Sequence, residues 1–125
     1  MIALDAVLGR PSPGVADERL RRVIQAIQTS LAEPWTVQGM ARLAAMSPAH
    51  FSRSFRDALG APPLRWVLDR RLDRAEWLMT KTRQPLTIIA HTVGFRSSSR
   101  LTEAFRRRHG VAPSAWRGAR PARAP

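Results

Sequence analysis

Phe51-x3-Phe55-Arg56-x3-Gly60-x2-Pro63-x2-Trp66 recurs as Leu101-x3-Phe105-Arg106-x3-Gly110-x2-Pro113-x2-Trp116, at an offset of 50 residues throughout. The residues ahead of each run also align. Val37, Met40 and Ala41 match Leu86, Ile89 and Ala90 at an offset of 49, so the second copy carries one extra residue in its turn. A match of this length and order implies one structural plan used twice, and any fold for the chain has to contain that plan in two copies.

The plan is helical. No segment alternates apolar and polar residues for long enough to read as a strand. A first helix is expected from Asp17 as N-cap, with Leu20, Val23, Ile24, Ile27 and Leu31 on one face, ended by Glu33-Pro34. Thr36 caps a short second helix with Val37, Met40, Ala41 and Ala44 inward. Ser47-Pro48 starts a third, burying Phe51, Phe55 and Leu59 and stopping at Gly60. Pro62-Pro63 opens a longer fourth helix with the stripe Leu64, Leu68, Leu72, Ala75 and Met79. Pro85 precedes a fifth with Leu86, Ile89, Ala90 and Val93, ended by Gly94. Ser97 caps a sixth with Leu101 and Phe105 inward and Gly110 at its end. Pro113 begins a last short turn holding Trp116. The expected fold class is all-α: seven helices forming two helix-turn-helix subdomains joined by a long connecting helix.

The expected organisation is a flexible lead over 1–16, a first subdomain over 17–62, a connecting helix over 63–81, a second subdomain over 82–117 and a disordered basic tail over 118–125. Each copy is a short helix, a tight turn and a longer helix, the plan in which the second helix enters a DNA major groove. At 1.5 Å per residue the connecting helix spans roughly 27 Å. That length can hold two inserting helices about one DNA turn apart, so that one monomer contacts about 20 base pairs.

Charge agrees with that reading. The chain has 21 Lys+Arg against 9 Asp+Glu, a formal net charge of +12. Residues 1–46 contribute +1 and residues 47–125 contribute +11. Such a balance favours a polyanion, with nucleic acid first and an anionic membrane surface second. The absence of cysteine excludes disulfides, thiolate metal sites and thiol nucleophiles. No apolar run reaches the roughly 18 residues of a membrane helix, and Asp5 interrupts the N-terminal apolar stretch of a would-be signal peptide. A soluble, cytoplasmic protein is expected. No Ser/His/Asp order, carboxylate pair or Gly-rich phosphate loop supports an enzyme. His50, His91 and His109 lack partners for a metal site and are assigned to surface or packing roles. No cofactor is expected.

On the residues Met46-Ser47-Pro48-Ala49-His50-Phe51-Ser52-Arg53-Ser54-Phe55-Arg56, Arg71-Leu72-Asp73-Arg74-Ala75-Glu76-Trp77-Leu78-Met79, Ile89-Ala90-His91-Thr92-Val93-Gly94-Phe95-Arg96-Ser97-Ser98-Ser99 and Gly110-Val111-Ala112-Pro113-Ser114-Ala115-Trp116-Arg117, the chain resembles the DNA-binding domain of the AraC/XylS family of bacterial transcription regulators. The resemblance covers about residues 17–117. It departs from the family pattern at Ile88, where an acid is usual, at Trp66 and Trp116, where Tyr is usual, at Leu101, where Phe is frequent, and at Glu103, where Arg is common. The resemblance implies a regulator, an activator in the leading reading, that contacts double-stranded DNA and RNA polymerase. The short stretch before the first helix suggests a stand-alone member. The output part of a longer effector-responsive regulator and a non-specific, architectural DNA binder are the alternatives.

Seven residues on the outer faces of the two longer helices are the candidate base readers: Ala49, Ser52, Arg53, Ser98, Ser99, Arg100 and Glu103. Arg53 leads because a guanidinium forks onto guanine O6 and N7. Glu103 repels phosphate and accepts from a cytosine N4 amine. Arg56, Arg106 and Arg107 are expected at phosphates, together with Thr36, Ser47 and Ser97, which are helix caps first. The four tryptophans are expected to pack, with Trp77 partly exposed.

Overall fold

The computed structural model describes residues 15–119. Most of the expected lead and tail lie outside the described residues. Seven α-helices are present among the described residues: α1 (Val15–Thr29), α2 (Val37–Leu43), α3 (Pro48–Leu59), α4 (Pro63–Lys81), α5 (Leu86–Val93), α6 (Ser98–His109) and α7 (Pro113–Ala119). No strand occurs among the described residues. The chain divides into two compact units, one up to Leu68 and one from Asp69 onward, so the boundary falls within α4.

Two ends of α1 differ from expectation. The helix begins at Val15, so Asp17 lies inside it and is not its cap, and it ends at Thr29 rather than at Glu33-Pro34. Residues 30–33 form turns in which the Ser30 N–H still bonds to the Ala26 carbonyl, and Leu31 is half-buried beyond the helix. The apolar period fixes which face of a helix is buried more firmly than where the helix stops.

The first unit buries Leu20, Val23, Ile24 and Ile27 of α1 with Met40, Ala41 and Ala44 of the second segment and Phe51 and Phe55 of α3. Trp66 and Val67, at the start of α4, complete this core, and the Trp66 ring meets Phe55 edge-on at 5.7 Å. Burying each such aromatic side chain contributes on the order of 1.5–3 kcal/mol. Leu59, expected inside, is half-buried against the edge of the core.

The second unit repeats the arrangement with α4 in the place of α1. Leu72, Ala75 and Met79 are buried, 52 residues after Leu20, Val23 and Ile27. Ile89, Ala90 and Val93 of α5 and Leu101 and Phe105 of α6 fill the centre. Phe105 meets Trp116 edge-on at 5.3 Å, as Phe55 meets Trp66 in the first unit. The expected continuous stripe along α4 is therefore corrected. Leu64 is 48% exposed and Leu68 is half-buried, while Trp66, Val67 and Leu78 are buried. The two halves of α4 belong to different cores, so no single stripe has to run its length.

Both turns between the paired helices close in the same way. In the first, Met46 N–H bonds to the Ala41 carbonyl at 3.0 Å and Ala45 N–H to the Arg42 carbonyl at 3.1 Å. In the second, Phe95 N–H bonds to the Ala90 carbonyl at 2.8 Å and Gly94 N–H to the His91 carbonyl at 3.3 Å. This is the Schellman pattern, which needs one left-handed residue. Gly94 takes that role at φ 111°, but in the first copy it falls to Ala45 at φ 55°. The extra residue of the second copy, Arg96, follows this motif and precedes the Ser97 cap.

Candidate nucleic-acid interface

The longer helix of each pair, α3 or α6, starts on a hydroxyl cap. Ser47 Oγ accepts from His50 N–H and Ser97 Oγ from Arg100 N–H, both at 3.2 Å. Thr36 Oγ1 accepts from Gly39 N–H at 3.0 Å at the start of α2. A capping hydroxyl uses its oxygen as acceptor, so its own proton is left for an acceptor such as a phosphate oxygen. Both α3 and α6 also end on a left-handed glycine, Gly60 at φ 81° and Gly110 at φ 79°. Phe51 and Phe55, and likewise Leu101 and Phe105, are fully buried. Their burial fixes which side of α3 and α6 remains outside.

On α3 that outer side carries Ala49, Arg53 and Arg56, all exposed, with Ser52 half-buried. They line one shallow open groove together with Pro62 and Leu64. On α6 the outer side carries Ser99, Arg100, Glu103, Arg106 and Arg107, exposed, with Ser98 half-buried. These line a second open groove, to which Thr102 adds its hydroxyl side chain. The sequence-derived residues are thus brought together within each unit, apart from the caps Thr36, Ser47 and Ser97, which line neither groove. Leu64 and Thr102 were missed. The α4 stripe places Leu64 in the core, and no signal marks Thr102 beyond its position between Arg100 and Glu103.

The cations of the outer faces are held ready. Among the described residues the guanidinium groups of Arg53, Arg56, Arg100 and Arg106 make no ion pair or hydrogen bond. Arg107 approaches Glu103 at 3.6 Å, one helical turn away, and both side chains are mostly exposed. Arg108 and Arg117 are the reverse. Arg117 donates to the carbonyls of Met79, Thr82 and Gln84 at 3.2, 2.6 and 2.8 Å, closing the C-terminal end of α4. Arg108 bonds to Asp69, Asp73 and Glu76 of α4. Burial lowers the Arg108 pKa, but hydrogen bonds and charge from Asp73 and Glu76 more than offset this and raise it above its ordinary value. On Arg71, burial alone pulls the pKa down.

His50 and His91 are exposed. His109 packs on Phe105 at 4.3 Å and lies 2.6 Å from Glu76, a packing role of the expected kind. Trp77 is 54% exposed and Trp35 packs against the first core, its indole N–H donating to the Ser30 carbonyl at 3.0 Å. No helix among the described residues is long and apolar enough to cross a membrane.

A family model described as a helix-turn-helix domain matches residues 40–119. The RCS-specific HTH-type transcriptional activator RclR of Escherichia coli K12 is 36% identical over 99 residues, covering 79% of this chain and 35% of the relative. The arabinose operon regulatory protein of the same organism is 31% identical over 102 residues, covering 81% and 35%. This chain therefore spans about a third of the length of these relatives. Among solved structures, the DNA-binding domain of AdpA in complex with a target DNA superposes with a TM-score of 0.78 at 34% identity, covering 81% of this chain and 91% of that one. The C-terminal domain of AraT, a response regulator from Geobacillus stearothermophilus, gives 0.79 at 28% identity, covering 90% and 89%.

The matching family model, the curated relatives and the DNA-bound neighbour mark the two packed helix pairs as a DNA-binding domain of a transcription regulator and not an enzyme. The chain belongs to the AraC/XylS family.

Proposed function

We propose that the chain is a sequence-specific transcription regulator, an activator, that inserts α3 and α6 into adjacent major-groove segments of double-stranded DNA. The observation that carries this reading is the pair of outer faces. Both are built on the same repeat and both hold unpaired guanidinium groups, yet their side chains differ. Binding through the backbone alone needs no such difference. Arg53 reads guanine, Ala49 meets a thymine methyl, and Glu103 accepts from a cytosine amine. Ser52, Ser98, Ser99 and Arg100 complete the base contacts. Thr36, Ser47, Ser97, Arg56, Arg106 and Arg107 hold phosphates and supply most of the affinity, with a steep dependence on salt. The protein binds as a monomer, in the bacterial cytoplasm and at the nucleoid when bound, and activates through contact with RNA polymerase.

Selection from a random duplex pool at physiological salt tests the proposal. The expected result is a bipartite motif with its blocks about one helical turn apart. Arg53→Ala then relaxes preference at one position by about 1–3 kcal/mol, while Arg56→Ala weakens all duplexes alike and lowers the salt slope by about 1. Salt-sensitive binding without enrichment would instead mark a non-specific binder.

A further inference from the structure

α6 ends in four basic residues, Arg106 to His109, and the helix divides them between two tasks. Arg106 and Arg107 point to the outer groove. Arg108 and His109 turn toward α4, where Asp69, Asp73 and Glu76 follow one another at i, i+4 and i+7 and so form one row. Arg108 Nη1 donates to Asp73 Oδ1 at 2.8 Å and to Glu76 Oε2 at 2.9 Å. Its Nη2 donates to the carbonyl and Oδ1 of Asp69, both at 3.3 Å. His109 Nε2 lies 2.6 Å from the same Glu76 oxygen. Arg70 holds the other oxygen of Asp73 at 2.8 Å. The Arg108 side chain is only 26% exposed, and Asp69 and Glu76 are similarly covered.

In the first copy the places of Arg108, His109 and Glu76 are apolar. Fifty residues earlier stand Ala58 and Leu59, both packed against the apolar core. In the α1 position corresponding to Glu76 stands Ile24, fully buried. Apolar contact is non-directional, whereas a guanidinium fork on several fixed oxygens has one favoured geometry. That matters for a reading helix. Side-chain tips lie about 5–6 Å from a helix axis, so a roll of about 20° moves them by about 2 Å. A shift of that size breaks a base-edge hydrogen bond.

We propose that Arg108 is a positioning residue for DNA readout. Its bonds to Asp69, Asp73 and Glu76 set the roll of α6, so that Ser99, Arg100 and Glu103 meet the second half-site, while Arg108 itself touches no DNA. This rests on the proposed function. It adds that the second half-site is read by an ionically held helix and the first by an apolar-packed one.

Arg108→Lys keeps the charge and loses the fork, and Glu76→Gln keeps the shape and removes the carboxylate shared by Arg108 and His109. Both variants are measured on the selected duplex, on duplexes substituted in one half-site at a time, and by amide hydrogen exchange of the free protein. The expected result for Arg108→Lys is about tenfold weaker discrimination at the second half-site, unchanged discrimination at the first, and several-fold faster exchange confined to α6. Glu76→Gln moves the same readouts less. An Arg108 that merely held a phosphate would be replaced by Lys with discrimination and exchange intact, which overturns the proposal. Equal losses at both half-sites overturn it as well. A wild-type protein without half-site preference removes the proposed function, and the claim on readout with it. A wild-type protein that discriminates beside unaffected variants removes only the positioning role.

Discussion

The two units use one backbone plan and close it with different chemistry. In the first, the brace behind α3 is apolar: Ile24, Ala58 and Leu59 all belong to or flank the core. In the second, the corresponding places hold Glu76, Arg108 and His109, joined by short polar contacts. The helix that precedes each pair, α1 or α4, also ends on a different donor. The Trp35 indole serves the Ser30 carbonyl in one unit, and the Arg117 guanidinium serves three carbonyls in the other. Even the turn differs, with Ala45 in the left-handed place where the second copy has Gly94. The lesson is that the repeat preserves what the backbone and the central aromatic contact require. What lies around them can be exchanged, provided that every buried polar group finds a partner.

The largest expected effect tests the part that both copies share. Phe55→Ala and Phe105→Ala each delete a fully buried ring that meets a tryptophan edge-on, and each is expected to cost about 3–5 kcal/mol. Denaturant unfolding followed by tryptophan emission measures both, and a cost in one copy less than half that in the other would break the equivalence.

The next comparison separates the units. Arg117→Ala removes three bonds to carbonyls at the end of α4 and is expected to cost about 2–3 kcal/mol. Its counterpart 50 residues earlier is the buried Val67, and Val67→Ala is expected to cost about 1–2 kcal/mol. The Arg117 effect should exceed the Val67 effect in the same unfolding assay.

The turns give a smaller effect of opposite sign in the two copies. Gly94→Ala places a Cβ at φ 111° and is expected to destabilise by about 1–2 kcal/mol, whereas Ala45→Gly relieves a strained residue and stabilises by about 0.5 kcal/mol. If Ala45→Gly lowered the unfolding midpoint, the left-handed conformation would not be strained in the first copy.

The smallest effect concerns the outer face of α6. Glu103→Gln removes an exposed pair at 3.6 Å and is expected to change stability by less than about 0.5 kcal/mol. In the binding assay it should alter preference at one base of the second half-site. A change at every position would assign Glu103 a general repulsive role.

The repeat, the caps Thr36, Ser47 and Ser97, and the outward sides of α3 and α6 are legible in the sequence because each rests on local rules. A Ser before a helix start, a Gly after its end and apolar residues at i and i+4 act within one or two turns of chain. The misreading of Leu64 has the opposite origin. Its period places it on a stripe with Leu72, but the stripe changes cores along α4, and nothing local records that change. The acidic row of Asp69, Asp73 and Glu76 was visible as spacing, yet its partner Arg108 lies more than thirty residues away.

The sequence by itself determined that the chain is all-helical, that it contains one helix-turn-helix plan twice, and which side chains stand outside α3 and α6, because hydrophobic period and capping chemistry are written in neighbouring residues. Only the tertiary structure decided that Arg106 stays unpaired while Arg108, two residues on, is bound by three acids. It also decided that Arg117 closes the end of α4. The reason is that a charge takes its role from whichever opposite charge or carbonyl the packing brings within about 3 Å, and that distance is set by contacts far apart in sequence.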